Sequence, residues 1–122
     1  MRLAKAMSLA CALLTPQAIH ADTCQILRFG AGFTTGDLNG SAPQEGEICY
    51  DLRFPTGQNL SIELVGGQNV SVSAPGYFDA RSDRIFLGDL PGQIELRVFQ
   101  LMRAPSPQPF ALRIRFEPPG NG

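Results

Sequence analysis

The sequence predicts an all-β fold, an antiparallel β-sandwich of about eight short strands. Three observations carry that expectation. Apolar and polar residues alternate with a period of two in five separate segments, the pattern of half-buried strands. Proline and glycine pairs punctuate those segments at short intervals, as tight connections require. After residue 21 no stretch holds the 3.6-residue period of an amphipathic helix.

In chain order, residues 25–29 and 33–38 offer short, weakly patterned strands. Ile48, Tyr50, Leu52 and Phe54 alternate with Cys49, Asp51 and Arg53, and Pro55-Thr56-Gly57 ends the run. Leu60, Ile62 and Leu64 alternate with Ser61 and Glu63 as far as Gly66-Gly67. Val70 and Val72 alternate with Ser71 and Ser73 before Pro75-Gly76. Residues 84–87 are a further weak candidate, with Asp79, Asp83 and Asp89 in loop-like sequence around it. After Pro91-Gly92, Ile94, Leu96 and Val98 alternate with Glu95 and Arg97. Phe110, Leu112, Ile114 and Phe116 alternate with Ala111, Arg113 and Arg115 in the last strand. The apolar set of each strand is the expected core. The opposite set mixes Asp51, Glu63 and Glu95 with Arg53, Arg97, Arg113 and Arg115, and is expected to form cross-strand ion pairs on a solvated face.

The first residues read as an export signal. Arg2 and Lys5 precede an apolar run from Ala6 to Leu14, through Met7, Leu9, Cys11 and Leu13, which Pro16 breaks. Ala18-Ile19-His20-Ala21 then supplies a small residue for cleavage. The run is shorter than the roughly 20 residues that cross a bilayer. The expectation is therefore a secretory signal over 1–21 and one domain over 22–122, periplasmic or secreted, with no membrane span. An N-terminal helix of the domain is the alternative.

The sole histidine, His20, and the sole lysine, Lys5, fall inside that signal. The rest of the chain carries eight arginines against eleven carboxylates, a formal charge of −3. No basic field for nucleic acid or an anionic membrane exists there. Without histidine, Ser-His-Asp and Cys-His sites are excluded and zinc sites lose their usual nitrogen ligand. No glycine-rich phosphate loop precedes a helix. A glycosidase would need two facing carboxylates. Asp79, Asp83 and Asp89 sit among turn residues and arginines, where solvated loop charge is the simpler reading. Calcium at Asp79 and Asp83 would lack the spacing of an EF-hand loop. The chain is expected to be a binder and not an enzyme, with no cofactor and no metal.

Cys24 and Cys49 remain as an even pair, which in an exported domain reads as a disulfide worth roughly 3 kcal/mol. By parity it would lie on the outer face of two neighbouring strands or at a strand end. A pair of reactive thiols is the alternative. Asn39, Asn59 and Asn69 open Asn-x-Ser sequons, which carry meaning in a eukaryotic secretory pathway.

The segment Glu95-Leu96-Arg97-Val98-Phe99-Gln100-Leu101-Met102-Arg103 leads into a connection bearing Pro105, Pro107 and Pro109. Proline fixes φ and lowers the entropy lost on ordering, so this hairpin loop suits recognition. Blocking of edge pairing by proline is the other reading. Phe99 and Leu101 point away from the Ile94-Leu96-Val98 face, and a covering loop is expected over them.

Gly57-Gln58-Asn59-Leu60-Ser61-Ile62 and Leu90-Pro91-Gly92-Gln93-Ile94-Glu95-Leu96-Arg97-Val98 resemble turns and strands of the bacterial pre-peptidase C-terminal-like β-sandwich. Tyr50-Asp51-Leu52 fits the strand before the first turn. Within that group the chain is similar to the periplasmic inhibitors of g-type lysozyme. The Arg97-Val98-Phe99 strand running into Leu101-Met102-Arg103, and Thr35-Gly36-Asp37-Leu38-Asn39-Gly40 near the start, carry that likeness. The resemblance spans about 28–116. It implies a protein partner, lysozyme, whose cleft receives loops of the sandwich. It also implies partner-binding roles for Arg103, Met102, Arg97 and Pro105, with Arg103 meeting a cleft carboxylate in a charge-assisted pair. The chain departs from the family in the hairpin loop, where prolines stand for basic residues. It departs again after the Gly40 turn, where Ser41-Ala42-Pro43 replaces an aromatic contact. Neither cysteine has a counterpart in the family pattern. A non-catalytic glycan-binding or protein-binding sandwich module is the second reading.

Overall fold

Every segment with clear alternation is a strand whose apolar set points into one core. The computed structural model describes residues 23–119, and the export signal expected over 1–21 lies outside them. Nine strands follow in chain order: β1 (Gln25–Arg28), β2 (Thr34–Ala42), β3 (Ile48–Arg53), β4 (Asn59–Gly67), β5 (Val70–Ala74), β6 (Phe78–Arg81), β7 (Ile85–Leu87), β8 (Gln93–Gln100) and β9 (Gln108–Glu117). They form a sandwich of two sheets, ordered β1-β3-β8-β5-β6 and β2-β9-β4-β7. Leu52, Val72, Ile94, Leu96 and Val98 from the first meet Leu60, Ile62, Leu112, Ile114 and Phe116 from the second in a sealed core. Each such side chain adds about 1.5–3 kcal/mol by leaving water.

Three elements differ from the pattern-based expectation. The first is β2, which runs to Ala42 and pairs with β9 over its whole length, Thr34↔Phe116 through Ala42↔Gln108. Its inward face carries Gly36 and Gly40, so it shows little apolar alternation. Those glycines are needed, because a Cβ on Gly40 would lie 2.9 Å from the Phe110 ring. The second is β6, absent from the expected strands. Asp79-Ala80-Arg81 has no alternation, Ala80 sits at φ 46°, and the ladder against β5 shifts register between Val72 and Ala74. The Ala80 N–H donates to Ser73 Oγ at 2.8 Å, which ties the irregular strand in place.

The third is β1, which pairs with β3 in parallel in an otherwise antiparallel arrangement of the described strands. The chain leaves β1 for β2 in the opposite sheet before returning as β3. That crossover is what parallel neighbours require. The register Gln25↔Tyr50 puts Cys24 opposite Cys49, and the two form a disulfide with Cα atoms 4.5 Å apart. The bridge lies on the outward face at the start of both strands.

The outward face is zipped by ion pairs, some along a strand and others between segments. Asp51 and Glu95 stand directly opposite one another on β3 and β8, a like-charge pairing that costs stability unless neutralised. Arg53 neutralises Asp51 at 2.7 Å and Arg97 neutralises Glu95, each two residues along its own strand. Across strands, Arg113 meets Asp37 at 3.2 Å.

Chain connections gather at two ends. At one, the Gln58 side chain is 2 % exposed and its amide both accepts from and donates to the backbone of Gly32, at 3.2 Å each way. Leu90 is buried beneath the same connections, with Gly57 N–H donating to Leu90 C=O at 2.7 Å and Leu90 N–H to Gln58 C=O at 3.1 Å. The rings of Phe29 and Phe54 flank Phe116 at 4.8 and 4.6 Å and close the core there.

Candidate functional site

At the opposite end lie residues 43–47 between β2 and β3, 68–69 between β4 and β5, and 101–107 between β8 and β9. The last of these carries three of the four sequence-predicted contact residues. Its shape follows from its composition and its neighbours. Pro105 and Pro107 restrict φ, and the side-chain amides of Gln44, Asn69 and Gln100 bond to its backbone. Asn69 itself adopts φ 60°, a left-handed conformation that asparagine tolerates better than most residues.

The side chains point outward. Met102 is 75 % exposed and Leu101 54 % exposed. The loop expected to cover Leu101 does not do so; Phe99, one turn of the ladder earlier, is half-buried opposite Ser71. Arg103 has a side chain 72 % exposed, with its Nη2 3.4 Å from Glu45 Oε2. Pro105 is exposed, and its carbonyl accepts from the Gln44 amide. Arg97 stands apart from these three on the outward face of β8. It is clasped by Glu47 at 2.7 Å and by Glu95, and these two carboxylates raise its pKa further above the ordinary arginine value. The structure thus brings Met102, Arg103 and Pro105 together on one loop and sets Arg97 on its flank, where it holds the 43–47 connection.

Beside the loop, a groove of about 430 Å³ opens between Gly67 and Gln68 on one side and Gln108 to Ala111 on the other. Gly67, at φ 130°, keeps that groove open: a Cβ there would approach the Pro109 carbonyl to 3.1 Å.

Asp83 accepts hydrogen bonds from Nε and Nη2 of Arg81, each at 2.8 Å, and this hydrogen bonding lowers its pKa below the ordinary carboxylate value. A general acid needs the opposite shift. Asp89 lies at φ 53° with its N–H bonded to Asn59 Oδ1, and Asp79 is exposed on β6. Among the described residues, the side chains grouped closely enough to hold an ion are Cys24, Cys49 and Glu95, and the two sulfurs are bonded to each other. No helix of the described residues is long and apolar enough to cross a membrane. Of the sequon asparagines, Asn39 is exposed, whereas Asn59 and Asn69 have their amides engaged by backbone carbonyls.

Asn69, Gln100 and Gln44 were not among the sequence-predicted site residues. Each acts on a segment distant in sequence or folded back on itself, so no local pattern marks it. The one available signal was the Gly67-Gln68-Asn69 turn between two alternating segments.

No family model matches this chain, and no curated protein matches it in sequence. Solved structures do. The chain is similar to PliG of Aeromonas hydrophila, a periplasmic lysozyme inhibitor of g-type lysozyme, at 21 % identity and a TM-score of 0.52, covering 78 % of this chain and 100 % of that one. It is also similar to PliG of Salmonella Typhimurium, likewise a periplasmic inhibitor of g-type lysozyme, at 17 % identity and a TM-score of 0.51 with the same coverage. At these identities the likeness is one of fold: the sandwich of this chain accommodates the full length of two lysozyme inhibitors.

Proposed function

We propose that this chain is an exported, non-catalytic lysozyme inhibitor, directed at the g-type enzyme, whose Arg103 end enters the substrate cleft. The observation that carries this reading is the likeness of fold along the entire length of two periplasmic g-type inhibitors. The disulfide and the signal over 1–21 favour export of residues 22–122 as one domain, to the periplasm or outside the cell. The wider likeness to the pre-peptidase C-terminal-like sandwich enters through the Gly57-Gln58 and Leu90-Pro91-Gly92 turns, which bond to each other at the closed end.

The mechanism rests on chemistry already described. A lysozyme cleft carries an acidic residue that protonates the glycosidic oxygen. The Arg103 guanidinium offers a planar fork that pairs with a carboxylate through two parallel hydrogen bonds. Met102 supplies a flexible apolar contact beside it, and Pro105 keeps the loop from yielding. Arg97 supports the neighbouring connection through Glu47. Occupying the cleft blocks substrate without any reaction on the inhibitor.

The test is lysis of a bacterial suspension by g-, c- and i-type lysozymes with and without the purified, disulfide-bonded protein. Protection against the g-type enzyme alone supports the reading, and Arg103→Ala should then weaken inhibition tenfold or more, the loss typical of a hot-spot arginine. No protection against any type, together with binding to purified peptidoglycan, would move the assignment to a glycan-binding module.

A further inference from the structure

The 101–107 connection projects three large side chains into solvent, yet its backbone is fastened at nearly every step. Asn69 holds its first half. Its Oδ1 accepts the Met102 N–H at 2.9 Å, its Nδ2 donates to the Met102 carbonyl at 2.5 Å, and its own carbonyl accepts the Leu101 N–H at 3.0 Å. A side-chain amide bonded both ways to one residue reproduces a rung of a β-ladder beyond the end of the strands. Gln100, the last residue of β8, holds the second half. Its Oε1 accepts the Ala104 N–H at 2.7 Å, and its Nε2 donates to the Ser106 carbonyl at 2.9 Å and the Ala42 carbonyl at 3.1 Å.

We infer that Asn69 and Gln100 are positioning residues that set the Met102–Arg103 pair in its binding geometry before the target arrives. This rests on the inhibitor reading and adds to it the residues that determine how tightly the loop binds. A loop ordered in advance loses less conformational entropy on association, which appears as affinity without any new contact. Neither residue needs to touch the enzyme. Asn69 acts through Met102, and Gln100 through Ala104, on the far side of Arg103.

Asn69→Gly separates the two things that Asn69 does. Glycine adopts φ 60° freely, so the turn survives, while both side-chain bonds to Met102 are lost. Three readouts are taken on the full, oxidised protein: the inhibition constant against purified g-type lysozyme, the thermal unfolding midpoint, and amide hydrogen exchange at Met102. The expected result is roughly tenfold weaker inhibition, a midpoint changed by only a few degrees, and faster exchange at Met102. Asn69→Asp, which keeps the acceptor for the Met102 N–H, should recover part of the loss. In a background carrying both Met102→Ala and Arg103→Ala the effect of Asn69→Gly on inhibition should shrink, because the contact side chains it positions have gone while its bonds to the main chain of residue 102 remain. Two results would overturn the inference: inhibition unchanged while Met102 exchanges faster, or a full effect that persists in the background lacking both contact side chains. If the unaltered protein inhibits no lysozyme, the inhibitor reading falls on its own. The exchange rate at Met102 then still decides the clamp, which faster exchange in Asn69→Gly upholds and an unchanged rate rejects.

Discussion

The two ends of the sandwich use the same bond and leave opposite things over. At the Gln58 end, a side-chain amide bonds to the backbone of Gly32, and Leu90 of the 88–92 connection goes inside, while Phe33 beside Gly32 stays exposed. At the Arg103 end, the amides of Asn69 and Gln100 bond to the backbone of 101–107, and Leu101 and Met102 stay outside. Leaving apolar surface in water does nothing for folding, and a loop this well fastened is not exposed for want of order. The difference teaches that the same fastening can draw an apolar residue into the core, as at Leu90, or hold apolar residues outside it, as at Leu101 and Met102.

The largest test of that contrast is truncation at each end. Leu90→Ala removes a sealed side chain and should cost about 2–5 kcal/mol in urea unfolding. Met102→Ala should stay within about 0.5 kcal/mol, as surface substitutions do. Equal costs would erase the distinction between the ends.

The disulfide sharpens the comparison, since Cys24 and Cys49 sit at the starts of β1 and β3 near the presenting end. Replacing both by serine should lower stability by roughly 3 kcal/mol through the freed chain entropy. Amide exchange should quicken first in β1 and residues 43–47, and last around Leu90.

A smaller effect is expected from acid. Hydrogen bonds to Asp51, first from Arg53 and then from Gln93, hold its pKa below the ordinary 3.8. A carboxylate depressed in the folded state stabilises the fold above its unfolded pKa, and this contribution is lost as pH falls through the folded value. Unfolding midpoints should therefore fall on acidification through the carboxylate range, and Asp51→Asn should flatten that limb. Because Asp51 and Gln93 lie towards the closed end, inhibition measured on folded protein should not follow the same curve.

Smallest of all is Glu45→Gln. The Arg103–Glu45 pair is exposed on both sides and holds the guanidinium only weakly. Freed from Glu45, and without a second carboxylate facing an acidic cleft, Arg103 should bind g-type lysozyme about two- to threefold more tightly at low salt, and the gain should vanish at high salt.

Period-two alternation was enough to locate β3, β4, β5, β8 and β9, because their inward sets are large and apolar. It understated β2 because Gly36 and Gly40 yield their space to the Phe29 and Phe110 rings, a fact of packing between elements. It missed β6 because Asp79-Ala80-Arg81 is held by Ser73 and not by burial. The parallel seating of β1 depends on which sheet receives β2, and no local pattern encodes that. At the presenting end, Arg103, Met102 and Pro105 drew notice by resemblance and by the prolines, whereas their fasteners are polar residues that any turn might carry. Arg97 and Glu95 share an outward face of one strand and were expected among ion pairs, whereas Glu47 came beside Arg97 only through the pairing of β3 with β8.

The bonds that shape the 101–107 loop go to main-chain atoms of Met102, Ala104 and Ser106, atoms every ordinary amino acid supplies. Geometry and identity are therefore separable at this end of the molecule. Positions 101, 102 and 103 can be rewritten, by natural drift or by a randomised library, while Asn69 and Gln100 keep the frame.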